Sequence, residues 1–371
     1  MTLFPNEPGI HTRPKKYAEN IYKYYCESTR DHISFIKNNL ENWFSHYPPD
    51  EQKEIKSRFP SEFDSVFYEL FLHELLLKMN FSVDIHADLT NGEKRADFLV
   101  TATKGDSFVL EARIRTFISK KEKMIQKLKD TIYDYINDNL SLKDFFLSID
   151  RCRILSNSQP SSKNICETVK MHLENIEHSG EAPSKIHIKD SSIEIKISFI
   201  KRTEKGDITV DRPIGAHMGE AHWSNPAHEI RKGLDSKASR YGQLEQPYII
   251  ALNCLDSILL RDVVDALFGD TAGLYEVGHG FKKWVRKKNG FWAPSKNTRV
   301  SAVLITSINP QSLLSSTIHA HLYLNPWPQY PYEGVLTQLD TYRGDDKGKI
   351  QHTEGRNLLD ILKINNSIYC D

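Results

Sequence analysis

The sequence predicts an α/β protein in which helices flank one mixed central sheet and a helical extension precedes it. Three observations support this fold class. Hydrophobic residues make up 39% of the chain and charged residues 26%, as in an ordinary globular protein. At Phe81 the hydrophobic period changes from that of a helix to that of a strand. In the second half, helical segments alternate with short apolar runs, which is typical of strands covered by helices.

The N-terminal elements are predicted to be helical. Residues 12–46 form one or two amphipathic helices, and Pro48-Pro49 ends this pattern because proline interrupts a helix. A strong helical period resumes at Ser61 and continues to residue 79. Three strand candidates then follow, separated by polar turns: FSVDIHA, ADFLVTAT and SFVLEARI.

The remaining elements continue this alternation. We predict a helix over residues 119–139, a Ser/Asn-rich loop over 155–165, and a hairpin in SKIHIKDSSIEIKISFI with its turn at DSS. A helix over 226–241 precedes the buried strand PYIIALN. The last predicted elements are a helix in DVVDALFG and strands in TRVSAVLIT and HAHLYLNP.

These elements predict an N-terminal helical extension (1–60), one main domain (61–345) and a C-terminal tail or helix (346–371). No stretch approaches the ~20 apolar residues of a membrane span, and the first residues do not resemble a secretory signal. Five cysteines without a CxxC pair indicate reduced thiols in a cytoplasmic protein. Because the formal net charge is zero, any contact with nucleic acid depends on local charge.

Two acidic residues lie in apolar strand candidates. Strand alternation places Asp97 on one face of ADFLV, and Glu111 with Arg113 on one face of SFVLEARI. A buried carboxylate is costly unless its charge is compensated, either by a divalent cation or by a buried arginine. The two acids share a face only if the connecting loop has three residues (104–106) or five (102–106).

These segments together resemble the PD-(D/E)xK nuclease superfamily, through Glu69 in FYELFLHELL and through MNFSV, ADFLV and LEARI. The resemblance covers residues 63–140 closely and the later units loosely. It implies a restriction-endonuclease-like fold and hydrolysis of phosphodiester bonds assisted by Mg²⁺ or Mn²⁺. It also implies that Asp97, Glu111 and the Ala112 carbonyl bind the metal and that Glu69 is an outer carboxylate.

The sequence departs from the superfamily pattern at three positions. Ala96 and Asn80 replace the usual proline and glycine, and Arg113 replaces the catalytic lysine, giving ExR for ExK. Arginine can offset phosphate charge, but it is a poor proton acceptor. Lys237, on the predicted 226–241 helix, is our candidate for the missing lysine, since superfamily members vary in this way.

Each acidic position has an alternative interpretation. Within the 61–79 helix, the family spacing selects Glu69, whereas the hydrophobic period places Glu74 nearer the centre of the apolar stripe. For Asp97 and Glu111, the alternative to a metal site is structural ion pairing with Arg95, Arg113 or Arg115. If the two acids form a metal site, they repel each other without the metal, so removal of either should leave folding intact.

Two basic segments are predicted to bind nucleic acid. The first follows the Arg113 strand, and the second interleaves cations with aromatic rings, which suits phosphates and stacked bases. An ordinary solvated face above core aromatics is the alternative. The predicted binding residues are Lys120, Lys121 and Lys123 in the first segment, and Lys282, Lys283, Trp284, Arg286 and Lys287 in the second. A third group contains the potential zinc ligands His217, Glu220 and His222, but we predict that this stretch is an ordinary surface loop.

The sequence therefore predicts a divalent-metal-dependent nuclease whose substrate is nucleic acid, with DNA favoured. By family analogy it would serve restriction or phage defence, as a homodimer or with a partner protein. The alternative is a catalytically silent nuclease-fold module that binds nucleic acid or a partner protein. Salt bridges from Arg113 to Asp97 or Glu111 would favour the silent module, and Lys237 near the phosphate would favour the enzyme.

Overall fold

The computed structural model describes residues 1–89, 95–103, 107–142, 144–179, 185–202, 212–218, 225–242, 244–344 and 349–366. The chain divides into two compact units. The first unit comprises Met1–Arg13, Ile21–Phe117 and Asn225–Asp371, and the second comprises Pro14–Asn20 and Ile118–Ser224.

The helices of the described chain are α1 (Ile21–Glu27), α2 (Asp31–His46), α3 (Pro49–Arg58), α4 (Phe63–Lys78), α5 (Lys120–Asn139), α6 (Ser162–Ser179), α7 (Pro226–Ala238), α8 (Leu260–Phe268) and α9 (Leu358–Leu362). Its strands are β1 (Phe81–Ile85), β2 (Phe98–Ala102), β3 (Ser107–Arg115), β4 (Phe145–Ile154), β5 (Ile186–Lys189), β6 (Ile193–Lys201), β7 (Ile214–His217), β8 (Tyr248–Cys254), β9 (Thr271–Glu276), β10 (Gly280–Arg286), β11 (Val300–Thr306), β12 (His321–Leu324), β13 (Asp340–Gly344) and β14 (Ile350–Thr353).

The first unit is built on a mixed sheet of eight strands in the order β1-β2-β3-β8-β11-β12-β13-β14. Strands β1, β2 and β3 are antiparallel neighbours, whereas β3, β8 and β11 run parallel. Every residue of β8 and β11 is buried, which explains why both sequences are continuously apolar. The prediction of an α/β protein with a large mixed central sheet is confirmed at this level.

The two faces of this sheet carry separate hydrophobic cores, as strand alternation requires. On one face, Phe98 and Leu110 share a core with Leu70 of α4 and with the N-terminal helices. On the other face, Val109 packs with Ile230 of α7 and with α8. The N-terminal helices predicted as an extension therefore belong to the first core of this unit.

The second unit has its own sheet, in the order β5-β6-β4-β7, and its own core of isoleucines and other apolar residues from α5, α6 and the strands. The sequence analysis placed this segment inside one 61–345 domain, so the compact units differ from the predicted boundaries. It also missed β4, and it assigned a loop over 155–165 where α6 begins at Ser162. Nonlocal pairing between β4 and β6 stabilises the missed strand.

The C-terminal segment extends the sheet of the first unit. No element was predicted for β13, which pairs with β12, and β14 lies in the predicted C-terminal tail and pairs with β13. Helix α9 adds Leu358 and Leu362 to the core shared with α4. In the described part of the chain, no helix has both the length and the apolar character needed to cross a membrane.

Candidate functional site

The pairing of β2 with β3 sets the position of the two predicted metal ligands. Thr101 pairs with Ser107 and Phe98 with Leu110, so the register carries Asp97 to the position opposite Glu111. This register corresponds to the five-residue connection that the sequence analysis allowed. The Oδ2 atom of Asp97 accepts a hydrogen bond from the backbone amide of Ala112, at 2.9 Å. Asp97, directly before β2, therefore lies beside Glu111 and Ala112 of β3.

Glu111 is completely buried, and cations compensate its charge. Its Oε1 accepts a hydrogen bond from the Lys237 ammonium and lies 2.8 Å from Nη1 of Arg240, while its Oε2 accepts a hydrogen bond from the Tyr241 hydroxyl. Burial raises the pKa of the Glu111 carboxyl, and the neighbouring Asp97 carboxylate raises it further. The ion pairs oppose this rise and favour the charged form.

The end of α7 brings these partners to Glu111. Helix α7 packs against β3 and β8, and its last turn carries Lys237. The Tyr248 hydroxyl on β8 donates to the Lys237 carbonyl at 3.0 Å, which ties the helix end to the sheet. A helix C-terminus favours cationic side chains because its carbonyl groups carry partial negative charge. The local fold thus stabilises Lys237 and Arg240 beside the carboxylate.

The arginines proposed as structural partners of the acids lie elsewhere. Arg115 forms an ion pair with Glu229 of α7, and Arg95 pairs with Asp88 at 3.0 Å. Arg113 is exposed on β3, and no ion pair to it is seen among the described residues. The predicted alternative of pairing with these three arginines is wrong, since Lys237 and Arg240 compensate Glu111 instead.

Glu69 does not join the carboxylate pair through any contact in the described structure. Both of its oxygens accept hydrogen bonds from the guanidinium of Arg58, at 2.7 and 3.0 Å. Its helix, α4, packs on the sheet face opposite to that of Glu111. Glu69 therefore acts as the partner of Arg58 in this structure, and its predicted place as an outer carboxylate of the site receives no geometric support.

Glu74 is the buried acid of α4, as the hydrophobic period indicated. Its Oε2 lies 2.8 Å from Nδ1 of His46, and its Oε1 lies 3.3 Å from the Lys78 ammonium. These contacts identify a structural ion-pair cluster within the first core.

The second basic segment forms an exposed hairpin, β9–β10, in the first unit. Phe281 and Trp284 are 48% and 67% exposed, and their ring centroids lie 5.2 Å apart. Phe291 and Trp292, by contrast, are buried in the core on the α7 side. The segment thus has features of both predicted interpretations. Aromatic rings in the hairpin are exposed, and aromatic rings after the hairpin are buried in the core.

The cations of this segment differ in their surroundings. Lys282 pairs with Glu276 at 3.1 Å, and Arg286 pairs with Asp265 at 3.3 Å. Lys283 and Lys287 are exposed. The first basic segment lies in the second unit, where its three predicted residues are exposed in the first turn of α5: Lys120, Lys121 and Lys123.

The third predicted group is only partly described. Glu220 and His222 lie outside the described residues. The His217 ring packs edge-on against Tyr17, with centroids 5.5 Å apart, and near Tyr133 at 5.8 Å. These contacts place the His217 ring among aromatic side chains of the second unit.

The sequence analysis missed Arg240 and Tyr241 as members of the site. A usable signal was present, because residues three and four positions after Lys237 lie on the same side of a continuing helix. At Arg113 the sequence lacks the lysine of the superfamily pattern, so that pattern points to Lys237 alone and not to its neighbours. Searches of protein-family models, of curated proteins and of solved structures give no match to this chain.

Proposed function

We propose that this protein is a divalent-metal-dependent nuclease of the PD-(D/E)xK type, acting on DNA, in which Lys237 replaces the motif lysine. The observation that carries the proposal is the contact of the Lys237 ammonium with buried Glu111, beside Asp97. The superfamily itself rests on the sequence resemblance. Its restriction-endonuclease-like fold, cytoplasmic location, role in phage defence, and assembly as a homodimer or with a partner belong to the same proposal.

The donor atoms fit Mg²⁺ or Mn²⁺. Asp97 and Glu111 offer carboxylate oxygens from adjacent strands, which are the ligands that hard cations prefer. The Ala112 amide faces Asp97, and the carbonyl of a strand residue points toward the same neighbouring strand as its amide. When bound, such an ion would polarise the phosphate and lower the pKa of the attacking water.

The side chains around this pair have distinct tasks in the proposal. Lys237 has three N–H donors, of which Glu111 takes one, so the ammonium can also meet a phosphate oxygen or orient a water. Its charge would stabilise the charge that develops on the phosphate. Arg113 is exposed on the same strand as Glu111, and its planar fork suits a neighbouring phosphate. Glu69 has no task, because Arg58 holds its carboxylate.

One observation favours the silent module as a second candidate. Lys237 and Arg240 together supply two positive charges to Glu111 and Asp97, so the two carboxylates are balanced without a metal ion. A protein with this arrangement can keep the fold and bind nucleic acid without hydrolysing it.

The test is incubation of the protein with plasmid DNA, single-stranded DNA and RNA, each with Mg²⁺, Mn²⁺ or EDTA. We expect metal-dependent cleavage that Asp97→Asn and Glu111→Gln abolish. Lys237→Met should lower the rate at least ~100-fold, the scale of losing one preorganised charge. Glu69→Gln is the matched control and should keep activity.

Two outcomes would contradict the enzyme. Binding of DNA without cleavage under every metal condition would select the silent module. Cleavage that survives both Asp97→Asn and Glu111→Gln would show that the hydrolytic site lies elsewhere.

A further inference from the structure

One face of the sheet in the second unit lies outside the hydrophobic core of that unit. The core takes Leu147 and Ile149 from β4 and Ile195 from β6. Because successive strand residues point to opposite faces, the residues between them point away from α5 and α6. A shift of register after Ile149 adds both Asp150 and Arg151 to this outer sheet face. Within β4, β5 and β6 the outer sheet face carries Phe146, Ser148, Asp150, Arg151, Arg153, His187, Lys189, Glu194, Lys196, Ser198 and Ile200.

Positive charge predominates on the outer sheet face, although the whole chain has no net charge. Its strand residues include four cations and two carboxylates. Two more cations reach it from the strand ends. The Lys185 ammonium lies 3.6 Å from Asp150, and the Arg202 guanidinium lies over the Phe146 ring, 5.7 Å from its centroid. Among these groups the cations outnumber the carboxylates by four, and such a local surplus attracts a polyanion.

The two carboxylates leave the neighbouring arginines available. Glu194 is 14% exposed in its side chain, whereas Arg151 and Arg153 are 42% and 55% exposed. The two guanidinium nitrogens lie 3.7 and 4.0 Å from the Glu194 oxygens, which is too far for hydrogen bonds. Asp150 accepts a hydrogen bond from the Ser198 hydroxyl instead. The guanidinium groups are therefore the more accessible charges of this face.

The outer sheet face also contains planar groups on which bases can stack. The Phe146 ring is half-buried, and the His187 side chain is 48% exposed. Unpaired bases stack on rings and on guanidinium planes, and a four-stranded sheet is a recurring surface for this contact. A duplex keeps its bases paired inside and would offer only its phosphates to such a surface. The combination of cations and planar groups therefore favours a single strand.

We propose that the outer sheet face binds single-stranded nucleic acid, with its cations on the phosphates and its planar groups on unpaired bases. Single-stranded DNA and RNA share this chemistry. The proposal rests on the proposed function only for nucleic acid as the polyanion, and it adds that the second unit holds an unpaired strand. The lysines of α5 are separate from this surface, because α5 packs on the opposite face of the sheet.

The test is fluorescence anisotropy of the full chain in EDTA with labelled oligothymidylate, labelled oligouridylate and a labelled DNA duplex of equal length. EDTA prevents metal-dependent hydrolysis, so binding is measured whether or not the protein is a nuclease. Combining Arg153→Gln with Lys189→Gln removes two exposed cations and should weaken single-strand binding roughly 10-fold. The slope of log Kd against log salt concentration should fall by about 1.4, because each phosphate contact on a single strand contributes about 0.7. Duplex affinity should not change.

His187→Ala tests the stacking contact. At pH ~8 the imidazole is neutral, so its removal should leave the salt slope unchanged. Single-strand binding should weaken at least ~5-fold, the lower end of the effect of one stacked base. The control combines Lys163→Gln with Lys170→Gln, which removes two exposed lysines from α6 in the same unit and should change neither affinity nor slope. The more tightly bound oligonucleotide identifies the strand, DNA or RNA, that the face takes.

Three results would overturn this surface. The first is no single-strand binding by the wild type, or unchanged affinity in both the double variant and His187→Ala. The second is an equal loss in the α6 control, which would indicate a general effect of charge. The third is an equal loss of duplex affinity with no effect of His187→Ala, which would indicate contacts to phosphates alone. Failure of this binding test leaves the Asp97–Glu111 site standing, and absence of cleavage leaves this binding test unaffected.

Discussion

At Glu111, a buried carboxylate is balanced by two cations and a phenol, and this balance governs how the protein responds to substitution. The sequence analysis expected that removal of either metal-binding acid would leave folding intact, because adjacent carboxylates repel. The structure changes that expectation for Glu111. Without it, the Lys237 ammonium, whose side chain is 11% exposed, would remain buried without its partner.

Glu111→Ala should therefore destabilise the protein by ~3–5 kcal/mol, the usual effect of breaking a buried ion pair. Adding Lys237→Met should recover part of this loss, since an apolar chain then replaces the stranded charge. Asp97→Ala should reduce the free energy of unfolding by less than Glu111→Ala does. The lost hydrogen bond from the Ala112 amide is offset because the repulsion between the Asp97 and Glu111 carboxylates disappears. Urea denaturation of the metal-free variants measures these differences.

Arg113→Ala is the matched control for this series. It removes an exposed cation from the same strand and should change stability by less than ~0.5 kcal/mol. If Glu111→Ala unfolds at the same urea concentration as the wild type, the ion pairs do not compensate a buried charge.

The residues of the site were partly predictable for a physical reason. A carboxylate within an apolar strand is a local property of the sequence, and so is the pairing register of neighbouring strands. These two properties predicted that Asp97 and Glu111 lie close together. Partners supplied by a helix more than 100 residues later depend on packing. Lys237 was found because the motif lacked a lysine, whereas Arg240 and Tyr241 had no such clue. Glu69 was selected by the family spacing, and that spacing contains no information about the ion pair between Glu69 and Arg58.

At the scale of elements, the β9–β10 hairpin shows why exposure of aromatic residues was hard to predict. Phe281 and Trp284 lie close in sequence to Phe291 and Trp292, yet the first pair is exposed and the second is buried. A register shift between Phe281 and Lys283 interrupts the period of two that would assign faces from sequence. The hairpin thus exposes both aromatic rings and cations.

If this hairpin binds single-stranded nucleic acid, Trp284→Ala should weaken binding by ~1–3 kcal/mol, about 5- to 150-fold, the usual contribution of one stacked base. Lys283→Ala should weaken binding less and should also reduce its salt dependence, because one phosphate contact is lost. Fluorescence anisotropy with a labelled oligonucleotide at several salt concentrations measures both effects.

Val277→Ser is the control for the hairpin. Val277 is fully exposed in the β9–β10 connection and carries neither ring nor charge. Its substitution should leave affinity unchanged. Equal affinity of wild type and Trp284→Ala at all salt concentrations would exclude a stacking role for this ring.

At the scale of the whole molecule, the candidate site lies in the first unit, whereas residues 118–224 belong to the second unit. Asp97, Glu111 and Lys237 all belong to the first unit, and the three α5 lysines belong to the second. The sequence analysis could not recognise this division, because residues 118–224 continue the alternation of helices and strands. Only nonlocal pairing shows that β4 to β7 form a separate sheet.

The first unit should fold without this segment. Neither hydrophobic core of that unit contains any of the described residues from 118–224, so excision removes none of the buried side chains seen in these cores. The ends to be joined also lie near each other, because Arg115, shortly before Phe117, pairs with Glu229, shortly after Asn225. A chain in which a short Gly/Ser linker joins Phe117 to Asn225 should therefore melt in one cooperative transition, as monitored by circular dichroism.

The same deletion tests the role of the second unit in binding. If Lys120, Lys121 and Lys123 contact phosphates, the deletion variant should bind DNA more weakly. The slope of log Kd against log salt concentration should then fall by about 2 to 3, because each lost phosphate contact on duplex DNA contributes about 0.9. The full chain with Lys120→Ala, Lys121→Ala and Lys123→Ala is the control and should show the same change in slope. Cleavage by the deletion variant, if the full chain cleaves, should keep its dependence on Glu111. A deletion variant that aggregates or melts without cooperativity would show that the first unit requires residues 118–224 to fold, and an unchanged salt slope in both variants would exclude the α5 lysines from the DNA contact.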